Sequence, residues 1–244
     1  FVEKLLYGLQ AQMNTPKPWG WFHLMWVILV IIALVILVKL RKRYSNKQLK
    51  LILGIYGIVA LILELIKQFI WSFNYDALND IVSWDYQWYA APFQLCTTPI
   101  FASIICLFLK ENSKLKDSLL SYMAYVTILG SFMTMIIPDS CFTSDIIINI
   151  HTMWLHCGSF VVSIYILMNG KIEKTKLKNA YFFEFILVKI FSPALLIKNK
   201  PTILSFNLLL IIQSIKNTQT LIIPDTRTPS KIFDILSYAL FEIS

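Results

Sequence analysis

The chain of 244 residues is 57% hydrophobic and only 15% charged, with a mean hydropathy of +0.65, a balance that excludes an ordinary soluble domain and points to an integral membrane protein. The formal charge of +8 calls for no nucleic-acid partner, because the short loops between apolar runs supply most of it and can lie against anionic lipid headgroups. Runs of roughly 17 to 25 apolar residues cross a hydrocarbon core of about 30 Å as helices. In chain order such runs are predicted at Trp21–Val38, Leu51–Trp71, Tyr89–Leu109, Leu119–Ile137 and Ile146–Met168, with a sixth near Ala180–Ile197. A further stretch, Thr202–Ile215, is short for a span. The expected fold is all-α: a polytopic bundle of about six transmembrane helices over residues 1–200. Residues 201–244 form a divergent or incomplete C-terminal segment with room for one more helix. The sequence opens on Phe1 rather than Met, and its first apolar run leads into further spans rather than a cleavage site. That run is therefore expected to be a retained helix and not a signal peptide.

Loop charge predicts the orientation, since Lys and Arg collect on the cytoplasmic side of short loops. Lys39–Lys50 (KLRKRYSNKQLK), Lys110–Asp117 (KENSKLKD) and Lys171–Lys178 (KIEKTKLK) are all rich in Lys or Arg. The alternate loops, Ser72–Trp88 and Pro138–Asp145, contain neither and carry Asp76, Asp80, Asp85, Asp139 and Asp145. The amino terminus is thus expected outside, in a multi-pass protein of the cell membrane. Lys198 and Lys200 fall at the outer end of the sixth run, against that rule.

Helical rise of 1.5 Å per residue converts position into depth. His23 stands in the first turn of the first run. Glu64 lies seven residues from the outer end of the second, about 10 Å down by that rise. Lys67 and Gln68 follow it at i+3 and i+4, on one stripe, where Glu64 and Lys67 can pair. Ionisable groups inside a membrane are expensive and usually functional, so this stripe is either a structural ion pair, with Lys67 free to snorkel outward, or a clamp on a substrate's polar group. In the third run Cys96 lies about 10 Å from the outer start, taking the run as a helix. It sits within PFQLCTTP (Pro92–Pro99), and flanking prolines free backbone groups that neighbours or a polar cavity must satisfy. A free Cys can equally be a small hydrophobe; the prolines favour a functional break. By the same geometry Gln94, about 200° around a helix from Cys96, is expected to face away. Ser131 and Thr134 occupy the outer half of the fourth run.

The fifth run carries NIHTMWLHCG (Asn149–Gly158). His151 and His156 are five residues apart, about 140° in projection, so they do not share a face as an i, i+4 metal pair would. No metal and no other cofactor is expected. His156 lies about 15 Å in, matching Cys96 in depth better than His151 does, and is the candidate base. Gly158 allows another helix to approach closely. Cys106, Cys141 and Cys157 show no metal-cluster spacing. Several spans thus place polar groups in the same outer half, and a common polar cavity is expected there.

Taken together, TPKPWGWFHLMW (Thr15–Trp26), ELIKQFIWSF (Glu64–Phe73), WYAAPFQLCTTPIF (Trp88–Phe101), IIPD (Ile136–Asp139) and NIHTMWLHCG resemble the YwaF-like bacterial branch of a transmembrane ether-phospholipid acyltransferase family. The resemblance spans roughly residues 15 to 170, carried by the order and spacing of the motifs, and residues after about Tyr181 depart from it. It implies a helical bundle with a catalytic cysteine in the third span and histidine in the fifth, here Cys96 and His156, acting on membrane phospholipids. The implied chemistry is acyl transfer through a Cys96 thioester resolved by a lysophospholipid hydroxyl. The thiolate is the attacking species, so a base must take the proton. Candidates for substrate binding or oxyanion stabilisation are His23, Glu64, Lys67, Gln68, Thr97 and His151. A small-solute transporter or membrane ligand-binding protein using the same polar groups is the alternative, as is a hydrolase in which water resolves the acyl-enzyme.

Overall fold

The computed structural model describes residues 7–168, apart from 41–44, 77, 80, 93, 95 and 139–140. The elements are helix α1 (Trp21–Leu40), helix α2 (Asn46–Ser72), a hairpin of β1 (Phe73–Asp76) and β2 (Ile81–Trp84), a short 3-10 turn (Trp88–Ala90), and helix α3 (Thr98–Phe108). Helix α4 (Lys114–Ile136), with a π turn at Met123–Thr127, and helix α5 (Ile146–Met168) follow. Helices α1, α2, α4 and α5 are long and apolar enough to cross a membrane, so the expected helical membrane bundle is what the chain forms. The sixth and seventh apolar runs and residues 201–244 lie outside the described residues.

The starts of α2, α4 and α5 have local causes. Ser45 caps α2 by accepting the Gln48 amide at 3.2 Å, and Ser113 caps α4 by accepting that of Lys116 at 3.3 Å, satisfying donors that the first turn leaves open. At α5 the Asn149 side chain accepts the Thr143 amide and donates to the Thr143 carbonyl. Within α4 the π turn disturbs the regular ladder, and the Ser163 hydroxyl of α5 donates to the Met123 carbonyl at 2.5 Å.

The third run departs from expectation. The sequence predicts a helix over Tyr89–Leu109; among the described residues the α-helix spans Thr98–Phe108, with Pro99 in its first turn. Proline lacks an N–H and disfavours helix in the residue before it; Pro92 precedes α3 and Pro99 stands in its first turn, and Cys96 and Thr97 form a turn ahead of the helix. The depth of Cys96 inferred from helical rise therefore has no helix beneath it. The hairpin was also unforeseen, its residues having been assigned to a loop.

Helix α5 is central, packing against α1, α2 and α4, while α2 also packs on α3. Small residues mark the crossings. A Cβ on Gly158 would come within 2.8 Å of the Tyr56 ring, and one on Gly57 within 2.5 Å of Ser103 Oγ; the expected close approach at Gly158 is that of α2. Ser131 Oγ of α4 meets Ser159 Oγ of α5 at 2.6 Å, a small polar pair of the kind that joins membrane helices. Most of the α1 surface is exposed aliphatic side chain, including Leu24, Ile28, Ile32 and Val35, as suits a helix bathed in lipid.

Candidate functional site

The stripe on α2 organises the site. Buried positions run Leu49, Leu53, Tyr56, Gly57, Ala60, Glu64, Lys67, spaced by threes and fours as on one face of a helix. Glu64 is 1% exposed and Lys67 3%. The Glu64 carboxylate accepts from Gln68 Nε2 at 2.7 Å and pairs with Lys67 Nζ at 2.7 Å through Oε1, while its Oε2 lies 2.8 Å from His151 Nε2 of α5. A buried carboxylate needs such partners, since an unpaired charge there is strongly disfavoured. The second face of Lys67 meets Trp71, with Nζ 5.5 Å from the ring centroid. Of the two readings of Glu64 and Lys67, the ion pair is present, and Lys67 is buried rather than snorkelled outward.

Gln68 extends the cluster to the segment leading toward Cys96. Its Nε2 also donates to the Ala90 carbonyl at 2.6 Å, and its Oε1 accepts from the Tyr86 hydroxyl at 2.9 Å. Both amide ends of Gln68 thus hold the 86–90 segment against α2. Beyond it the chain makes a turn in which the Thr97 hydroxyl faces the Pro92 and Gln94 carbonyls at 2.9 and 2.8 Å. The proton of Thr97 supports that turn. The Cys96 thiol donates to Gln94 Oε1 at 3.4 Å. Gln94 was expected to face away from Cys96; it does not, because the 200° argument needs a helix that the prolines prevent.

The two histidines are separated by their environments. His151 is 4% exposed and belongs to the Glu64 cluster. His156, half-buried and about 7 Å farther along α5 by helical rise, makes no side-chain hydrogen bond among the described residues; its electrostatic neighbour is His151. The thiol and His156 are not hydrogen-bonded to each other. His23 has a local role: its Nδ1 accepts the Trp19 amide at 3.2 Å and its ring packs edge-on against Trp19 and Phe142, holding Trp19 at a φ of 60°. Thr134 donates back to the Gly130 carbonyl of its own helix and does not join the cluster.

The sequence reading missed Tyr56, Tyr86 and Gln94. Tyr56 lies eight residues before Glu64 on the same stripe, and its hydroxyl donates to the Leu155 carbonyl at 3.4 Å; the stripe spacing was the available signal. Nothing local marks Tyr86, which meets Gln68 only through the fold. Among the described residues no three of His, Cys, Asp and Glu converge as a metal-binding set. The arrangement offers a thiol in an irregular turn, a carboxylate between a lysine and a histidine, and a second histidine that no side chain engages among the described residues.

The sequence pattern that defines the TMEM164 family matches residues 16–208 of this chain, more than half of its length. The match continues past residue 170, where the resemblance carried by the motifs stops. No curated protein and no solved structure matches the chain.

Proposed function

The chain belongs to the TMEM164 family, and from that membership, the motif resemblance and the site geometry we propose that it is a membrane acyltransferase of the YwaF-like branch, moving an acyl chain between a phospholipid and a lysophospholipid in the cell membrane. The observation that carries the reading is Cys96, a free thiol in a proline-broken turn that follows the Ala90 segment, which Gln68 ties to the buried Glu64–Lys67 pair. Cys96 Sγ attacks the ester carbonyl, the C–S bond forms, and the C–O bond to glycerol breaks. The thiol proton passes through a base to the departing glycerol oxygen. A lysophospholipid hydroxyl then attacks the thioester, the new C–O bond forms, the C–S bond breaks, and the hydroxyl proton returns through the base to sulfur. His156 is the proposed base: among the described residues its imidazole has no competing hydrogen bond, whereas that of His151 lies 2.8 Å from Glu64. Catalytic hydrogen bonds are often open in unliganded enzymes and close only around substrate. For the oxyanion, Lys67 is the best-supplied donor, with one of its three N–H protons directed at Glu64.

Intact-protein mass spectrometry of the chain incubated with a phospholipid tests this reading. A hydroxylamine-labile acyl adduct is expected, absent from Cys96→Ala and weakened in His156→Ala. A folded, lipid-bound protein that forms no adduct would remove the thioester step. The density of polar contacts around Glu64 rather than Cys96 favours, as a second reading, a ligand-holding or transport role. In that case Cys96→Ser leaves function intact and Lys67→Met abolishes it. An adduct resolved by water without any lysophospholipid acceptor would identify a hydrolase.

A further inference from the structure

The hairpin pairs Phe73 with Trp84, Asn74 with Ser83, Tyr75 with Val82 and Asp76 with Ile81. Side chains alternate across a strand, and directly paired residues share a face. Phe73, Trp84, Tyr75 and Val82 therefore occupy one face, all aromatic or aliphatic. Asn74, Ser83, Asp76 and Ile81 occupy the other, which is mostly polar. An isolated two-stranded hairpin is marginal in water and needs a surface to lie on.

Contacts show where the apolar face points. Phe73 is buried, the Trp84 ring lies edge-on to Phe69 of α2 with centroids 5.8 Å apart, and Tyr75 lies edge-on to Tyr7 at 6.1 Å. The cover is partial: Trp84 remains 55% exposed and Val82 42%. Phe69 itself ends an exposed row on α2 that includes Ile55, Ile58, Ile62 and Leu65, the lipid-facing side of a spanning helix. The apolar face of the hairpin continues this row without a linker, because α2 ends at Ser72 and β1 begins at Phe73. Trp88, 79% exposed, follows in the same stretch, and exposed aromatic side chains gather at membrane interfaces. The segment Ser72–Trp88 has no Lys or Arg and carries Asp76, Asp80 and Asp85, which disfavours an anionic lipid surface or an acidic partner.

We propose that the apolar face of this hairpin is a membrane-docking surface, seated on the headgroup–acyl boundary of a zwitterionic phospholipid leaflet. The seat adjoins the candidate site, since Tyr86, two residues after β2, donates to Gln68. The inference goes beyond acyl transfer and does not depend on it. Spin labels at Val82→Cys and Ser83→Cys, each in a Cys141→Ser background, test it in phosphatidylcholine nanodiscs; the background without the added cysteine supplies the signal to subtract. Dissolved oxygen partitions into lipid and a nickel chelate into water. The label at Val82 should relax several-fold more with oxygen than with the chelate, and the preference should reverse at Ser83. Equal chelate access at both positions would put the hairpin in water and overturn the proposal. Shielding of Val82 from both relaxants would overturn it in favour of a second copy or a protein partner. Trp84→Cys, on the same face, replaces Val82→Cys if that variant does not reconstitute.

Discussion

Glu64 concentrates the energetics of the site on one side chain. Removing one member of a buried ion pair leaves the other charged and unsolvated, a loss of about 3–5 kcal/mol, whereas replacing both members by apolar residues of similar volume is often close to neutral. Glu64→Leu should therefore lower the thermal stability in detergent micelles strongly, and Glu64→Leu combined with Lys67→Met should recover most of that loss. A double variant no more stable than the single one would show that the tie from Glu64 to His151, not the pair with Lys67, holds α2 to α5. The i, i+3, i+4 spacing makes Glu64, Lys67 and Gln68 legible as one stripe in the sequence, because a regular helix converts spacing into direction. The same rule failed at Gln94, where Pro92 and Pro99 remove the helix on which it rests. His151 was legible as a polar residue at the right depth, but its partner, eighty-seven positions away, depends on how α5 rotates against α2.

At the scale of elements, the crossing of α2 and α3 rests on Gly57. A Cβ there would stand 2.5 Å from Ser103 Oγ and 3.1 Å from Ile104 Cγ1, so Gly57→Ala should destabilise by roughly 1–3 kcal/mol through overpacking. Adding Ser103→Ala should relieve part of it; thermal unfolding of the two variants checks the sign. At the other end of the bundle Glu111 joins α2 to α4, accepting from Lys116 Nζ at 2.9 Å and lying 3.4 Å from Lys50 Nζ. The hydrogen bond from Lys116 holds the Glu111 carboxyl below its usual value of 4.5. A lowered folded-state pKa contributes stability above the unfolded value and loses it as pH falls through the folded one. The wild type should accordingly lose stability on acidification through the carboxylate range, and Glu111→Gln should start lower and lose less. Long apolar runs such as α1 and α5 were legible because length and composition suffice for a span. The extent of the third helix was not, since prolines shorten it, and the hairpin has strands of only four residues, too short for an alternation signal to stand out.

For the whole molecule, loop charge and tertiary contacts bear on the same question independently. Charge sorts the loops into two classes, and the tertiary contacts sort them the same way. Gln10 donates to the Ile70 and Phe73 carbonyls, Met13 to Ser144, and Ile146 to Ala11. The amino-terminal segment, the hairpin end of α2 and the start of α5 therefore share one end of the bundle. Lys50, Glu111 and Lys116 meet at the other. An arrangement in which the spans alternate in direction requires this grouping, but the contacts alone leave open which end faces the cytoplasm. Only the Lys and Arg bias assigns it. A membrane-impermeant thiol reagent applied to intact cells, again in a Cys141→Ser background, should label Ser83→Cys before permeabilisation and Asn112→Cys only after it. The opposite pattern would invert the bundle and place the Glu64 cluster and Cys96 in the cytoplasmic half, so that any acyl exchange would draw on the inner leaflet. Labelling of both positions in intact cells would break the alternation and with it the span assignment of α3, the helix whose 11 residues are fewest for a crossing.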